Sequence, residues 1–149
     1  MAVVGVIYDN ALLSVVKQTL NLETDALGIL LGNSTYVFDP ADDNITDIIA
    51  GGELENNTGT GYERKDIVSP VISLVAGNKV RFDCDDVAYT AIDTTTDILW
   101  GIIYLKGATE ADRKLVIYLE GLSTQTNGSD IDFRIPATGA VEFQSVQPV

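Results

Sequence analysis

The sequence predicts a mainly all-β fold. The expected form is an antiparallel, jelly-roll-like sandwich of about eight short strands with one short N-terminal helix. Three observations predict it. After residue 64, apolar residues either alternate with polar ones or run unbroken over strand length. Gly- and Asn-rich turn signals separate these runs, as in Gly32-Asn33-Ser34 and Ala76-Gly77-Asn78-Lys79. Helical spacing stands out in a single early segment, residues 9–20. With 149 residues, 46% of them apolar, the chain has the length and composition of one folded domain. The boundaries read as an N-terminal arm at 1–8, a single β-sandwich domain at 9–143 and a C-terminal tail at 144–149.

Taken in order, residues 1–7 are apolar but short, and no basic residue precedes them. They do not read as a signal peptide. In residues 9–20, Asp9 or Asn10 is positioned to cap a helix, and Leu12, Val15, Val16 and Thr19 share its apolar face. Residues 26–31 form an apolar strand, and residues 35–38 a second short one. Residues 39–61 are a long excursion rich in Gly, Asn and Asp, with one helical turn expected over 45–50 behind Asn44. Strands follow at 64–68 and 71–75, separated by Ser69-Pro70. Val80, Phe82 and Cys84 then alternate with Arg81, Asp83 and Asp85, the pattern of a half-buried strand. Residues 97–105 and 115–119 are apolar on both faces. Such strands need cover on both sides, from a partner subunit or from the helix. Ile131, Phe133 and Ile135 alternate again, and Val141 and Phe143 close the pattern.

The formal charge is −13, from nine Lys or Arg against twenty-two Asp or Glu, and histidine is absent. Such a chain repels phosphate, so nucleic acid is not an expected partner. Without histidine there is no Ser-His or Cys-His hydrolase and no imidazole zinc site. The one cysteine, Cys84, cannot form an internal disulfide and reads as a buried, inert thiol. No apolar run approaches the roughly 18 residues of a membrane span. The charge is also uneven. From Gln18 to Glu63 there are nine acids and no base.

Two acid clusters bear on metal binding. Asp83, Asp85 and Asp86 are weak calcium candidates, because hard cations gather several carboxylate oxygens. Asp39, Asp42, Asp43 and Asp47 form the second cluster. Neither follows the calcium-loop spacing, and both also read as solvated acids. No cofactor is expected. Trp100 lies in a doubly apolar strand and reads as core. Nothing in the residue pattern proposes a reaction, so the chain is not expected to be an enzyme.

The order of landmarks resembles a family of small virion structural proteins of tailed bacteriophages. The matching features begin with Asn21-Leu22-x-Thr24-Asp25 before the strand at 27–31, and Ser34-Thr35-Tyr36. A variable acidic loop follows, then Gly59-Thr60-Gly61-Tyr62 with Arg64. The later features are Phe82-Asp83-x-Asp85-Asp86-Val87 with Tyr89, Ile103-Tyr104, the strand at 115–118, Asp132-Phe133-x-Ile135 and Ala137-Thr138-Gly139. The resemblance spans about residues 10–143. It implies a β-rich, non-enzymatic protein of the phage particle, made in the bacterial cytoplasm.

Two functions follow as expectations. The first is a capsid decoration (cement) protein on the outer surface of the head, bridging neighbouring subunits. Its partners would be the major capsid protein and itself, as a homotrimer. The expected shell contacts are Val3, Val4, Val6 and Ile7 in the arm and Asp42, Asp43, Glu53 and Glu55 in the acidic loop. The expected self-association residues are Trp100, Ile102 and Tyr104. The alternative is a receptor- or glycan-binding module of a head or tail fibre, for which the Asp clusters and Tyr62 would serve.

Overall fold

The computed structural model describes residues 4–48, 50–54, 61–77, 79–92, 97–122, 129–135 and 141–144. In chain order the described elements are β1 (Val4–Ile7), α1 (Asp9–Val16), β2 (Leu27–Gly32), β3 (Lys65–Asp66), β4 (Val71–Val75), β5 (Lys79–Asp83), β6 (Val87–Ile92), β7 (Trp100–Leu105), β8 (Leu115–Glu120), β9 (Ser129–Phe133) and β10 (Val141–Gln144). Short 3-10 turns occupy Ile45–Asp47 and Glu110–Asp112. The fold is mainly β with one helix, as predicted, and every pairing is antiparallel. The strands make sheets of five (β1-β8-β7-β2-β3), three (β10-β5-β4) and two (β6-β9). This is consistent with an all-β sandwich, with a strand order of its own.

The centre of the large sheet is apolar on both sides. β2, β7 and β8 are buried along almost their whole length. In antiparallel pairs, residues opposite each other share a face. Gly28, Leu30 and Gly32 therefore share a face with Tyr104, Ile102 and Trp100. That face is covered from within the chain by the long acidic segment. Tyr36 packs edge-on against Trp100, with ring centres 5.3 Å apart, and Phe38 stacks on Tyr118 at 4.8 Å. Arg64 lies over the Tyr104 ring. On the opposite face Phe133 of β9 sits close to Gly101. The two-sided apolar pattern thus has a third explanation beside the two expected ones: neither a partner subunit nor the helix is the main cover.

Trp100 fits because Gly32 lies opposite it. A Cβ at Gly32 would fall 1.8 Å from the indole ring. The indole N–H donates to the Asn33 carbonyl at 2.6 Å, fixing the ring in place. Residues 35–38 keep the alternation of a strand, with Tyr36 and Phe38 inward and Val37 exposed, but among the described residues no strand pairs with them.

The N-terminal residues differ most from expectation. Residues 4–7 are not an arm. They form the edge strand β1, paired with residues 117–120 of β8. Tyr8 is fully buried and its N–H donates to the Val116 carbonyl. The helix is shorter than expected. It begins behind Tyr8 with no side-chain cap; Asp9 instead sits in the first turn, where a negative charge suits the helix dipole. It ends at Val16 because Gln18 takes a left-handed backbone (φ 60°). Its buried residue is Ala11, whereas Leu12, Leu13 and Val16 are 42%, 49% and 71% exposed. The predicted apolar face therefore points largely to solvent. β6 was not expected as a strand, although Val87 and Tyr89 face inward and Ala88 and Thr90 outward.

Candidate functional site

The acidic segment holds four of the eight expected shell contacts, Asp42, Asp43, Glu53 and Glu55. It is built as a lid. Asn44 opens the turn Ile45–Asp47 with a capping box: its side chain accepts from the Thr46 N–H, and Asp47 accepts from the Asn44 and Asp43 N–H groups. Backbone bonds between residues 43–45 and 113–115 tie this turn to the start of β8. Asp43 pairs with Lys114. Asp42 accepts a 2.7 Å hydrogen bond from the Tyr36 hydroxyl, which in turn accepts from the buried Tyr8 hydroxyl. Glu53 forms a two-pronged pair with Arg64, which also binds Glu110. Glu110 then holds Arg113.

Asp42, Asp43 and Glu53 are thus bonded to the lid's own supports and are not displayed as a free acidic patch. Linear spacing showed the charge but not the cations that fold against it. Glu55 and Val3 lie outside the described residues. Of the other two shell-contact residues predicted beside Val4 of β1, Val6 is 36% exposed and Ile7 is half-buried. Trp100, Ile102 and Tyr104 are each 5% exposed or less, so they cannot form a self-association surface in this fold. The lid occupies the face on which they were expected to meet a partner.

The calcium candidates also disperse. Asp83 accepts from the Cys84 N–H, Asp85 from the Ser69 hydroxyl and Asp86 from the Ile135 N–H. Among the described residues no group of three acids or cysteines is placed to hold a metal ion. Cys84 is half-buried, and burial, with the neighbouring Asp83, Asp85 and Asp86, pushes its thiol up to about 12, so it stays protonated. Tyr62, a candidate for sugar contact, is 2% exposed. Its hydroxyl accepts from the Leu31 N–H and donates to Glu53, both at 3.0 Å.

Two consequences are measurable. Tyr62→Phe leaves the buried Leu31 amide without its acceptor. Chemical denaturation should show a loss of about 1–3 kcal/mol; an unchanged midpoint would mean the amide finds another partner. The lid acids also shift in opposite senses. Hydrogen bonds from the Asn44 and Asp43 amides hold Asp47 below the usual carboxylate range, whereas burial raises Asp42 despite its Tyr36 hydrogen bond. A lowered carboxyl adds stability above its unfolded pKa and loses it as pH falls through the folded one. Asp47→Ala should therefore lower the melting temperature at neutral pH, and the difference should shrink on acidification. Asp42→Asn should show the reverse trend, with its relative benefit greatest at neutral pH. Melting curves across the carboxylate range check both.

Among the described residues one open surface is apolar. A groove of about 600 Å³ runs between α1, the segment after it and the β4–β5 hairpin, floored by Leu20, Leu22, Ile72 and Val80. Leu12 stands at its rim. Leu74, 85% exposed, lies on the same face as Ile72 and opposite Val80. The sequence carries a signal for this surface: residues 67–78 contain no charged residue, in a chain of net charge −13. Comparison with family models, with curated proteins and with solved structures finds no match.

Proposed function

We propose that this chain is a structural protein of a tailed-phage particle, a capsid decoration protein that binds the outside of the head and bridges neighbouring subunits. Copies also bind one another, as a homotrimer. The observation that carries the reading is the contrast between a lid whose described acids are all hydrogen-bonded and an exposed apolar face. The described acids of the lid are bonded within it or paired with Arg64 and Lys114, and the apolar groove exposed among the described residues is suited to packing against protein. The ordered landmarks shared with small virion proteins agree with this. A negative exterior suits a position outside the shell, away from the packaged genome.

The test uses purified chain and heads of the phage that encodes it, stripped of the chain by deletion of its gene. Saturable cosedimentation, with heads that rupture at a higher temperature once coated, is the expected result. Absence of binding to such heads, or recovery of the chain with tails alone, would overturn the proposal.

A further inference from the structure

We infer that the space between Tyr89 of β6 and Glu53 of the lid is a binding site for one water molecule, which joins the Tyr89 hydroxyl to the Glu53 carboxylate. The inference stands apart from the decoration reading. Tyr89 is 1% exposed, and its hydroxyl oxygen is the one buried side-chain polar atom that meets no hydrogen-bond partner among the described residues. Leaving such a group unpaired costs more than an ordinary hydrogen bond contributes. A phenylalanine would fill nearly the same volume without that cost. Buried waters resolve this conflict in many proteins, at sites that offer them several polar groups.

The geometry supplies the second group. The Tyr89 ring stacks on that of Tyr62, with ring centres 6.1 Å apart and planes 22° apart. The Tyr62 hydroxyl reaches the Glu53 carboxylate at 3.0 Å. Glu53 also acts on Tyr89: burial first, then Tyr104 and Glu53, hold its phenol above the ordinary tyrosine range. The two phenols thus stand beside one carboxylate, one bonded to it and the other out of direct reach. A polar separation of that kind is the span that one water bridges.

Charge selects the occupant. Glu53 is already neutralised by its two-pronged pair with Arg64, which also holds Glu110. An anion would face both carboxylates, and a cation would compete with Arg64 for the same oxygens. A neutral molecule that both donates and accepts meets neither obstacle. Its hydrogens then have one arrangement. The Tyr89 O–H donates to the water, and the water donates to Glu53, since an ionised carboxylate only accepts. Access comes from the solvent side, where the Glu53 side chain is 21% exposed and lines a cavity of about 450 Å³ with Leu54 and Arg64. The water carries the bonded chain Glu110–Arg64–Glu53 on to β6, in the two-stranded sheet.

A crystal structure of the full chain, fine enough to show ordered solvent, tests the inference together with the melting of one variant. The expected result is a water within about 3 Å of both the Tyr89 Oη and a Glu53 carboxylate oxygen. Tyr89→Phe should lose that water and melt about 3 °C lower, because the carboxylate and the water lose a bonded partner. Absence of a water shared by the two residues overturns the inference. So does a folded Tyr89→Phe protein that melts at or above the original temperature, which is the result expected of a hydroxyl with no partner.

Discussion

Replacing Gly32 with alanine is expected to cost at least about 3 kcal/mol, among the most damaging single-methyl additions the fold could receive. For a domain of this size that is a fall in Tm of roughly 10 °C. The added carbon would sit 1.8 Å from the Trp100 ring. The ring cannot swing away, because its N–H is held by the Asn33 carbonyl and Tyr36 closes over it. Both strands are central, so neither can yield without parting from the next. Trp100→Leu in the same background should recover part of the loss, because it vacates the contested space. Tryptophan fluorescence and thermal melting of the single variant, and melting of the double variant, measure both effects. A Gly32→Ala protein melting within a degree or two of the original would mean that the Gly32–Trp100 packing is wrong.

Deleting residues 1–8 is expected to unfold the domain. An arm could be removed freely, but β1 cannot. Its loss strips the pairing partner from β8 and removes Tyr8, whose side chain is wholly buried between Phe38 and the Tyr36–Asp42 hydrogen bonds. Truncating one buried aromatic side chain costs about 3–5 kcal/mol, against a total stability of about 5–15 kcal/mol for a typical domain. The unpaired β8 edge adds to that. Circular dichroism and gel filtration of the truncated chain read the outcome directly. A truncated protein with native dichroism and a sharp melt would restore the arm reading.

The strands that carry strong patterns were legible. β2, β4, β5, β7, β8 and β10 fall where apolar runs or alternations place them. β1 and β6 were not, the first because four residues before a polar break look like a loose end, the second because Thr90 and Ala91 blur its alternation. The lid was the least legible part. Its buried residues Tyr36, Ile45, Leu54 and Tyr62 have no common period, since Ile45 drops onto the sheet from a single 3-10 turn and the others from irregular backbone. Without that cover in view, Trp100, Ile102 and Tyr104 looked like an interface. The acids misled for a related reason. Proximity in sequence suggested a shared ion, but a residue's hydrogen-bond partner is set by the fold: Asp86 meets Ile135, and Glu53 meets Arg64 and, through it, Glu110.

The pairing of β1 with β8 has a consequence for how the protein comes to be made. β1 finds its partner only when residues 117–120 have left the ribosome. β5 waits likewise for β10, and β6 for β9. Closure of long loops before contacts repay them makes such topologies slow to fold. During that interval the apolar strands β2 and β7 are exposed in a nascent chain without its cover. The high negative charge then acts on the unfinished chain as well as on the folded one: it keeps incomplete copies apart until each sheet is complete.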